Sequence, residues 1–271
     1  MNIMKRIMLI IAYDGTNYCG FQVQPNGVTV QELVNRAVSE LTGEEIRTIG
    51  ASRTDAGVHA RGNVVVFDTK ARMPGDKYSY ALNPRLPDDI KVQLSREVSP
   101  DFHPRYTDTV KTYEYRILNR RMPDPTRRLN TLFNYFSLDA DRMQAAARYL
   151  EGTHDFRSFQ ASGETNPDKE TVRTIYRASV RRGSDEDGNG DLITFRISGN
   201  GFLYNMVRIL AGTLIEIGRG KLEPEDMKKI MDARSRDAAG PTAPPQGLTL
   251  VEIRYPEWEP WEVYENHESN R

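Results

Sequence analysis

The chain has 271 residues, and its 37 Lys+Arg against 38 Asp+Glu leave a formal net charge of −1. That balance excludes a histone-like or tail-type nucleic-acid binder held by a global positive field, but it leaves room for a local basic cleft. A single cysteine, Cys19, excludes an intrachain disulfide, and 4 scattered His assemble no Cys/His zinc cage, so a reducing cytoplasmic setting and no metal are expected.

At the N-terminus Lys5 and Arg6 precede an apolar run, Ile7 to Ala12, which is too short for a signal segment and ends at Asp14-Gly15. No stretch reaches the ~20 apolar residues of a membrane span, so a soluble protein without a membrane partner is expected. Arg6 to Tyr13 reads as a first strand closed by a turn. Thr29 is positioned as an N-cap, followed by Leu33, Val34, Ala37, Val38 and Leu41 at helical spacing and by Gly43 as the stop. Ile46 to Ala51 and Val64 to Phe67 read as strands around a polar turn, Ser52 to Gly62, and Asp76 to Leu82 as a short helix.

Pro84, Pro87, Pro100 and Pro104 punctuate Asn83 to Pro104, the expected handover between two halves, residues 1–105 and 106–271. The pattern then restarts. Strands are expected at Thr112 to Leu118, Val172 to Val180, Leu192 to Ser198 and Leu248 to Tyr255. Helices are expected at Asp139 to Leu150, Leu203 to Ile217 and Pro224 to Ala233. An acidic glycine-rich stretch from Ser184 to Gly190 reads as a hairpin tip, and the sequence after Trp261 as a polar tail. Strand and helix units thus occur twice, which points to an α+β fold of two halves sharing a core.

The segment Gly50 to Ala60 places a carboxylate, an Arg and small residues between two apolar strands, the kind of rigidly mounted loop that carries catalytic groups. Its plainer reading is an Asx-turn at Asp55, a positive φ at Gly57 and a surface ion pair for Arg53. Arg208 lies among Phe202, Leu203, Met206, Val207, Ile209 and Leu210, where a guanidinium needs a buried partner. Tyr113 and Tyr115 share one face of an alternating strand, a pattern that by itself describes two core aromatics. Charge is sorted along the chain: Arg105 to Arg128 and Lys169 to Arg182 each sum to +4, whereas Leu222 to Arg271 sums to −5. Two basic segments interleaved with Tyr106, Tyr113, Tyr115 and Tyr176 suit a local phosphate-binding cleft.

Several strings occur in a recognisable order: Ala12-Tyr-Asp-Gly-Thr-Asn-Tyr18, Arg53-Thr-Asp-Ala-Gly-Val-His-Ala60, Asp101-Phe-His-Pro-Arg105, Lys111-Thr-Tyr-Glu-Tyr115, Gly201-Phe-Leu-Tyr-Asn-Met-Val-Arg208 and Gly247-Leu-Thr-Leu-Val251. From about Ile7 to Pro256 the chain resembles the TruA family of tRNA pseudouridine synthases. The resemblance implies two ferredoxin-like halves with a joined antiparallel sheet and a central cleft. It also implies a homodimer and a cofactor-free isomerisation of uridine to pseudouridine at positions 38, 39 and 40 of the tRNA anticodon stem-loop. Asp55 is then the catalytic carboxylate, attacking C6 of the uracil or C1′ of the ribose, or stabilising a detached base. Arg208 is its ionic partner, Tyr113 the platform for the flipped uracil, and Arg53 the guanidinium that contacts phosphate where the target nucleotide leaves the helix. His59 matches the motif but is assigned no chemistry, and Ser52 stands where relatives often carry Gly or Arg. The other readings are a non-catalytic ferredoxin-like RNA-binding protein, a synthase acting on other RNA positions and a carboxylate hydrolase; the last lacks a second paired acid.

Overall fold

A computed structural model of the chain describes residues 4–161, 170–183 and 190–256; the acidic stretch at 184–189 and the polar tail lie outside them. In chain order the elements are β1 (Lys5–Tyr13), α1 (Val30–Thr42), β2 (Ile49–Gly50), β3 (His59–Thr69), α2 (Tyr78–Leu82), β4 (Ile90–Val98), β5 (Val110–Asn119), β6 (Leu132–Asn134), α3 (Ala140–Arg148), β7 (Gly152–Asp155), β8 (Val172–Gly183), β9 (Leu192–Gly199), α4 (Met206–Gly218), α5 (Asp226–Ala233) and β10 (Leu248–Arg254).

Local chemistry explains most boundaries. Thr29 caps α1 by accepting from the Glu32 amide, and Gly43 ends it at a φ of 71°. Asp139 caps α3 through the amides of Asp141 and Arg142. Ile7 to Ile11 and Val64 to Val66 are buried without alternation, the mark of central strands covered on both faces. Helix α4 is buried nearly all round, which accounts for its apolar sequence. It starts at Met206 rather than at Leu203, because Asn205 takes a left-handed backbone, φ 58°, and interrupts the helical path.

The described strands form one ten-stranded sheet, ordered β4-β1-β3-β10-β5-β9-β8-β7, with β2 on β3 and β6 on β5. Along the chain β1-α1-β2-β3-α2-β4 follows the β-α-β-β-α-β order of a ferredoxin-like unit, and so does β5-α3-β8-β9-α4-β10 once the additional β6, β7 and α5 are set aside. The sheet is mixed rather than antiparallel throughout: β10 runs parallel to β3, with Thr249 opposite His59 and Leu250 opposite Ala60, and β6 runs parallel to β5. On its other side β10 pairs antiparallel with β5, Leu250 facing Tyr113. One hydrophobic core therefore extends from Ile7 to Tyr255 through both halves.

The Pro-rich segment is not all connection. Between Pro87 and Pro100 it contains the edge strand β4, in which Ile90, Val92, Ser95 and Val98 are buried. Prolines at both ends of an edge strand take nothing from its ladder, so their presence does not argue against a strand between them. The strand expected at Ile46 to Ala51 shrinks to two residues, because the amides of Ile46 and Thr48 donate to the α1 side chains Ser39 and Asn35 and only the end of the stretch reaches β3.

Helix α4 is pressed against the segment before β10. A Cβ on Gly212 would stand 1.8 Å from the Pro241 carbonyl oxygen. Gly212→Ala should therefore lower stability by about 1–3 kcal/mol despite its better helix propensity, read as a lower urea midpoint with unchanged slope.

Candidate active site

Between the halves lies an open cleft of about 1060 Å3, whose wall includes Arg53, Asp55 and Tyr113 from the residues singled out above. The loop carrying the first two leaves β2 and enters β3. It is strapped to the β1 turn by bonds from the Phe21 amide to the Thr54 carbonyl, 3.1 Å, and from the Gly57 amide to the Tyr18 carbonyl, 3.4 Å. Gly57 has φ 77° beside Pro245, so the positive φ expected there is present.

Arg208 reaches the loop from the first turn of α4. Its Nη1 lies 3.3 Å from Asp55 Oδ2, so a guanidinium and a carboxylate 153 residues apart meet at the cleft wall, which Asp55 lines and Arg208 supports from behind. The same Nη1 donates a shorter bond, 2.7 Å, to Asn205 Oδ1, and Nε donates at 2.8 Å to the Ala243 carbonyl. The guanidinium is thus fixed mainly by Asn205 and Ala243, with Asp55 as its looser third partner. Burial pushes the Asp55 carboxyl above its ordinary value, and Arg208 offsets that only in part.

Tyr113 faces the same cleft from β5. It is buried, packs edge-on against Phe202 with ring centres 5.1 Å apart, and shares a 2.8 Å hydrogen bond with the Ser52 hydroxyl. Burial pushes its phenol up to about 12. Ser52 is held in turn by Asn63, whose side chain accepts from the Ser52 amide at 3.3 Å and donates to the Ser52 carbonyl at 3.0 Å. Asn63 also donates to Tyr13 Oη, which is 2.7 Å from Thr54 Oγ1. A buried polar network thus links both sides of Arg53 to the sheet.

Arg53 itself is exposed at the rim and makes no ion pair among the described residues, so the surface pairing considered for it is absent there. Tyr115 belongs to the core, fully buried with its hydroxyl on the Pro244 carbonyl at 2.8 Å, and reaches no accessible surface. His59 accepts from the Gly15 amide at 3.1 Å and contacts the Gln246 carbonyl through Nε2 at 3.1 Å, joining the β1 turn to the segment before β10. Sequence reasoning noted Ser52 only as a motif position beside Arg53 and Lys111 only as one charge of a basic segment, and it missed Asn63 and Asn205 as parts of this site. Asn63 carried a readable signal, a lone amide directly before Val64-Val65-Val66 that a buried strand must satisfy.

The family model for tRNA pseudouridine synthase matches residues 9–107 and 146–256. The chain is 49% identical over 252 residues to tRNA pseudouridine synthase A of Acetivibrio thermocellus, an alignment spanning 93% of this chain and 100% of the relative. It is 48% identical over 254 residues to the enzyme of that name from Moorella thermoacetica, with 93% and 100% of the two chains covered. The Brevibacillus brevis enzyme of that name is 47% identical over 252 residues, again with 93% and 100% covered.

The raised carboxyl makes a stability statement. A folded-state pKa above the unfolded one means that the native protein binds the Asp55 proton more tightly, so ionisation costs stability, fully so above the folded value and not at all below the unfolded one. Asp55→Asn should accordingly be more stable than the wild type at pH 7, with the gain disappearing towards pH 3. Urea midpoints at several pH values read this directly.

Proposed function

The chain belongs to the tRNA pseudouridine synthase family, and from that premise we propose that Asp55 is the nucleophile of its uridine isomerisation, with Arg208, Tyr113 and Arg53 as the substrate-binding groups around it. The protein is an isomerase that converts uridine in tRNA to pseudouridine. The N1–C1′ bond breaks, a C5–C1′ bond forms, N1 gains a proton and C5 loses one. No electrons leave the nucleoside, so the chain's own side chains can account for the chemistry: capture of an electrophilic carbon, retention of the detached base, and proton movement.

The observation that carries this assignment is a half-buried carboxylate at the cleft wall, held ionisable by a guanidinium that is itself tied elsewhere. A carboxylate clamped tightly by Arg would be a poor nucleophile. At 3.3 Å, Arg208 supplies field while leaving the oxygen free to form a bond to C6 or C1′ and later release it. Tyr113 offers its ring to a uracil that has lost its stacking neighbours. With its phenol pushed up to about 12 it stays neutral at physiological pH, so it acts as a platform and hydrogen-bonding group in the resting enzyme. Exposed Arg53, two residues from the carboxylate, meets the RNA where the flipped nucleotide departs and forks onto phosphate. The substrate uridines are those at positions 38, 39 and 40 of the anticodon stem-loop, and the working form is a homodimer in which both subunits touch one tRNA.

Undermodified tRNA carrying tritium at uridine C5 tests the assignment. The wild type should release tritium, while Asp55→Ala should release none and still bind the RNA; equal release by both would sink Asp55 as nucleophile. Arg53→Ala should lower turnover 10-fold or more, on the order of a charge-assisted contact, with little change in melting temperature. Because the attacking form is the carboxylate, activity should fall at acid pH with a midpoint above an ordinary Asp, and Arg208→Met should move that limb to still higher pH. An unmoved limb in the folded variant would show that Arg208 does not set Asp55 ionisation.

A further inference from the structure

We propose that Lys111, Arg105 and Arg173 form a second anion subsite in the cleft, one that takes a backbone phosphodiester next to the flipped nucleotide. This deepens the reading above and rests on it.

The two basic segments of the chain do not contribute evenly to the cleft. Arg116 is paired with Glu114 at 2.7 Å, Arg120 with Asp191 at 3.9 Å and Arg127 with Asp124 at 3.7 Å. Arg182 is spent on Asn119 Oδ1 and the Leu138 carbonyl. Arg105 and Lys111 from the first segment and Arg173 from the second line the cleft instead, and among the described residues none of the three makes a salt bridge to a carboxylate.

Strand register explains how they converge. Lys111 on β5 is opposite Gly199 on β9, and Gly199 is opposite Ile175 on β8. Paired residues share a face, and alternation returns Arg173 and Tyr113 to it. Gly199 leaves room for the buried Ile175 side chain, whose Cδ1 lies 2.9 Å from where a Cβ would stand, so an apolar floor underlies the two strands, and Arg173 lies along Gly201, where a Cβ would stand 3.5 Å from its Nε. The result is a trough two residues along β5 from Tyr113.

Lys111 donates at 2.9 Å to the Ala51 carbonyl, which touches the Asp55 loop but supplies no negative charge. Burial and the charges of Arg105 and Arg173 hold its amine down to about 8. The other charged or titratable groups facing this part of the cleft are Glu170 ahead of β8, Asp55 and Arg53 in the loop, Tyr113 on β5, and Tyr106 and Tyr204 at the mouth. Glu170 acts on Arg173, whose Nη1 donates to the Glu170 and Val172 carbonyls. Like charges gathered in a half-dry trough are relieved by an anion. Phosphodiester is the anion that a tRNA substrate brings within reach of Tyr113.

The test measures full-length protein binding an unmodified tRNA transcript by fluorescence anisotropy over a salt series at pH 7. Lys111→Met should weaken binding at least 10-fold and make the log K against log salt slope shallower by about one, whereas Lys111→Arg should retain both. From pH 7 to about 8.5, wild-type affinity should fall as the amine loses its proton, and Lys111→Arg should abolish that fall. If Lys111→Met does not fold, Arg173→Gln is read in the same way. A folded variant with unchanged slope and affinity overturns the subsite. Asp55→Ala separates the two proposals: tritium release by that variant would defeat the nucleophile assignment while leaving the slope measurement to decide on Lys111.

Discussion

Arg208 holds the site together by being bound three ways. A guanidinium emerging from the apolar helix α4 needs partners for its donors, and Nε and Nη1 find them in the Ala243 carbonyl, in Asn205 and in Asp55. Each partner lies on a different stretch of chain, so the helix start, the segment before β10 and the loop between β2 and β3 are drawn to one point. Asn205 accepts a left-handed backbone to present its amide oxygen, a local cost that the surrounding packing sustains. Displacing any of these stretches changes the field at the carboxylate before it changes any contact with substrate.

The same region shows how a protein maintains a group that does not favour folding. Burial raises the Asp55 carboxyl, while the residues beside it are held by hydrogen bonds: Ser52 by Asn63 and Tyr113, and Thr54 by Tyr13. Loose pairing is confined to the Asp55 carboxylate, and rigidity is supplied by its neighbours. The core running through both halves supplies the stability from which that penalty is drawn.

What was legible in the sequence follows the range of the interaction concerned. Caps such as Thr29, Gly43 and Asp139 act within one turn and stand in plain view. Arg208 among apolar residues announces that a partner exists, though not which one, and it took the motif around Asp55 to suggest it. Strand β4 was hidden because prolines on both sides looked like linker, although Ile90, Val92 and Val98 carry most of an edge-strand pattern. The meeting of β10 with β3 joins Thr249 to His59, and no local pattern encodes a partnership at that separation. Lys111 was counted as one more charge in a basic run; its burial depends on Ala51 and on the strands beyond Gly199, neither of which its neighbours in sequence reveal.

Strand β3 is made early in synthesis and β10 follows every other described strand, yet the two lie side by side at the centre of the sheet. Until β10 arrives, the edge of β3 beyond its short pairing with β2 is open at His59 and Ala60, and the neighbouring edge of β5 is open as well. The first ferredoxin-like unit can collapse on its own schedule, but it exposes a sticky border while the ribosome completes the second. The segment that closes the border also carries the Ala243 carbonyl that locks Arg208. The clasp on Arg208 is therefore complete only once Ala243 has been made, so a nascent chain that stops short of it holds Asp55 beside a guanidinium with one anchor missing.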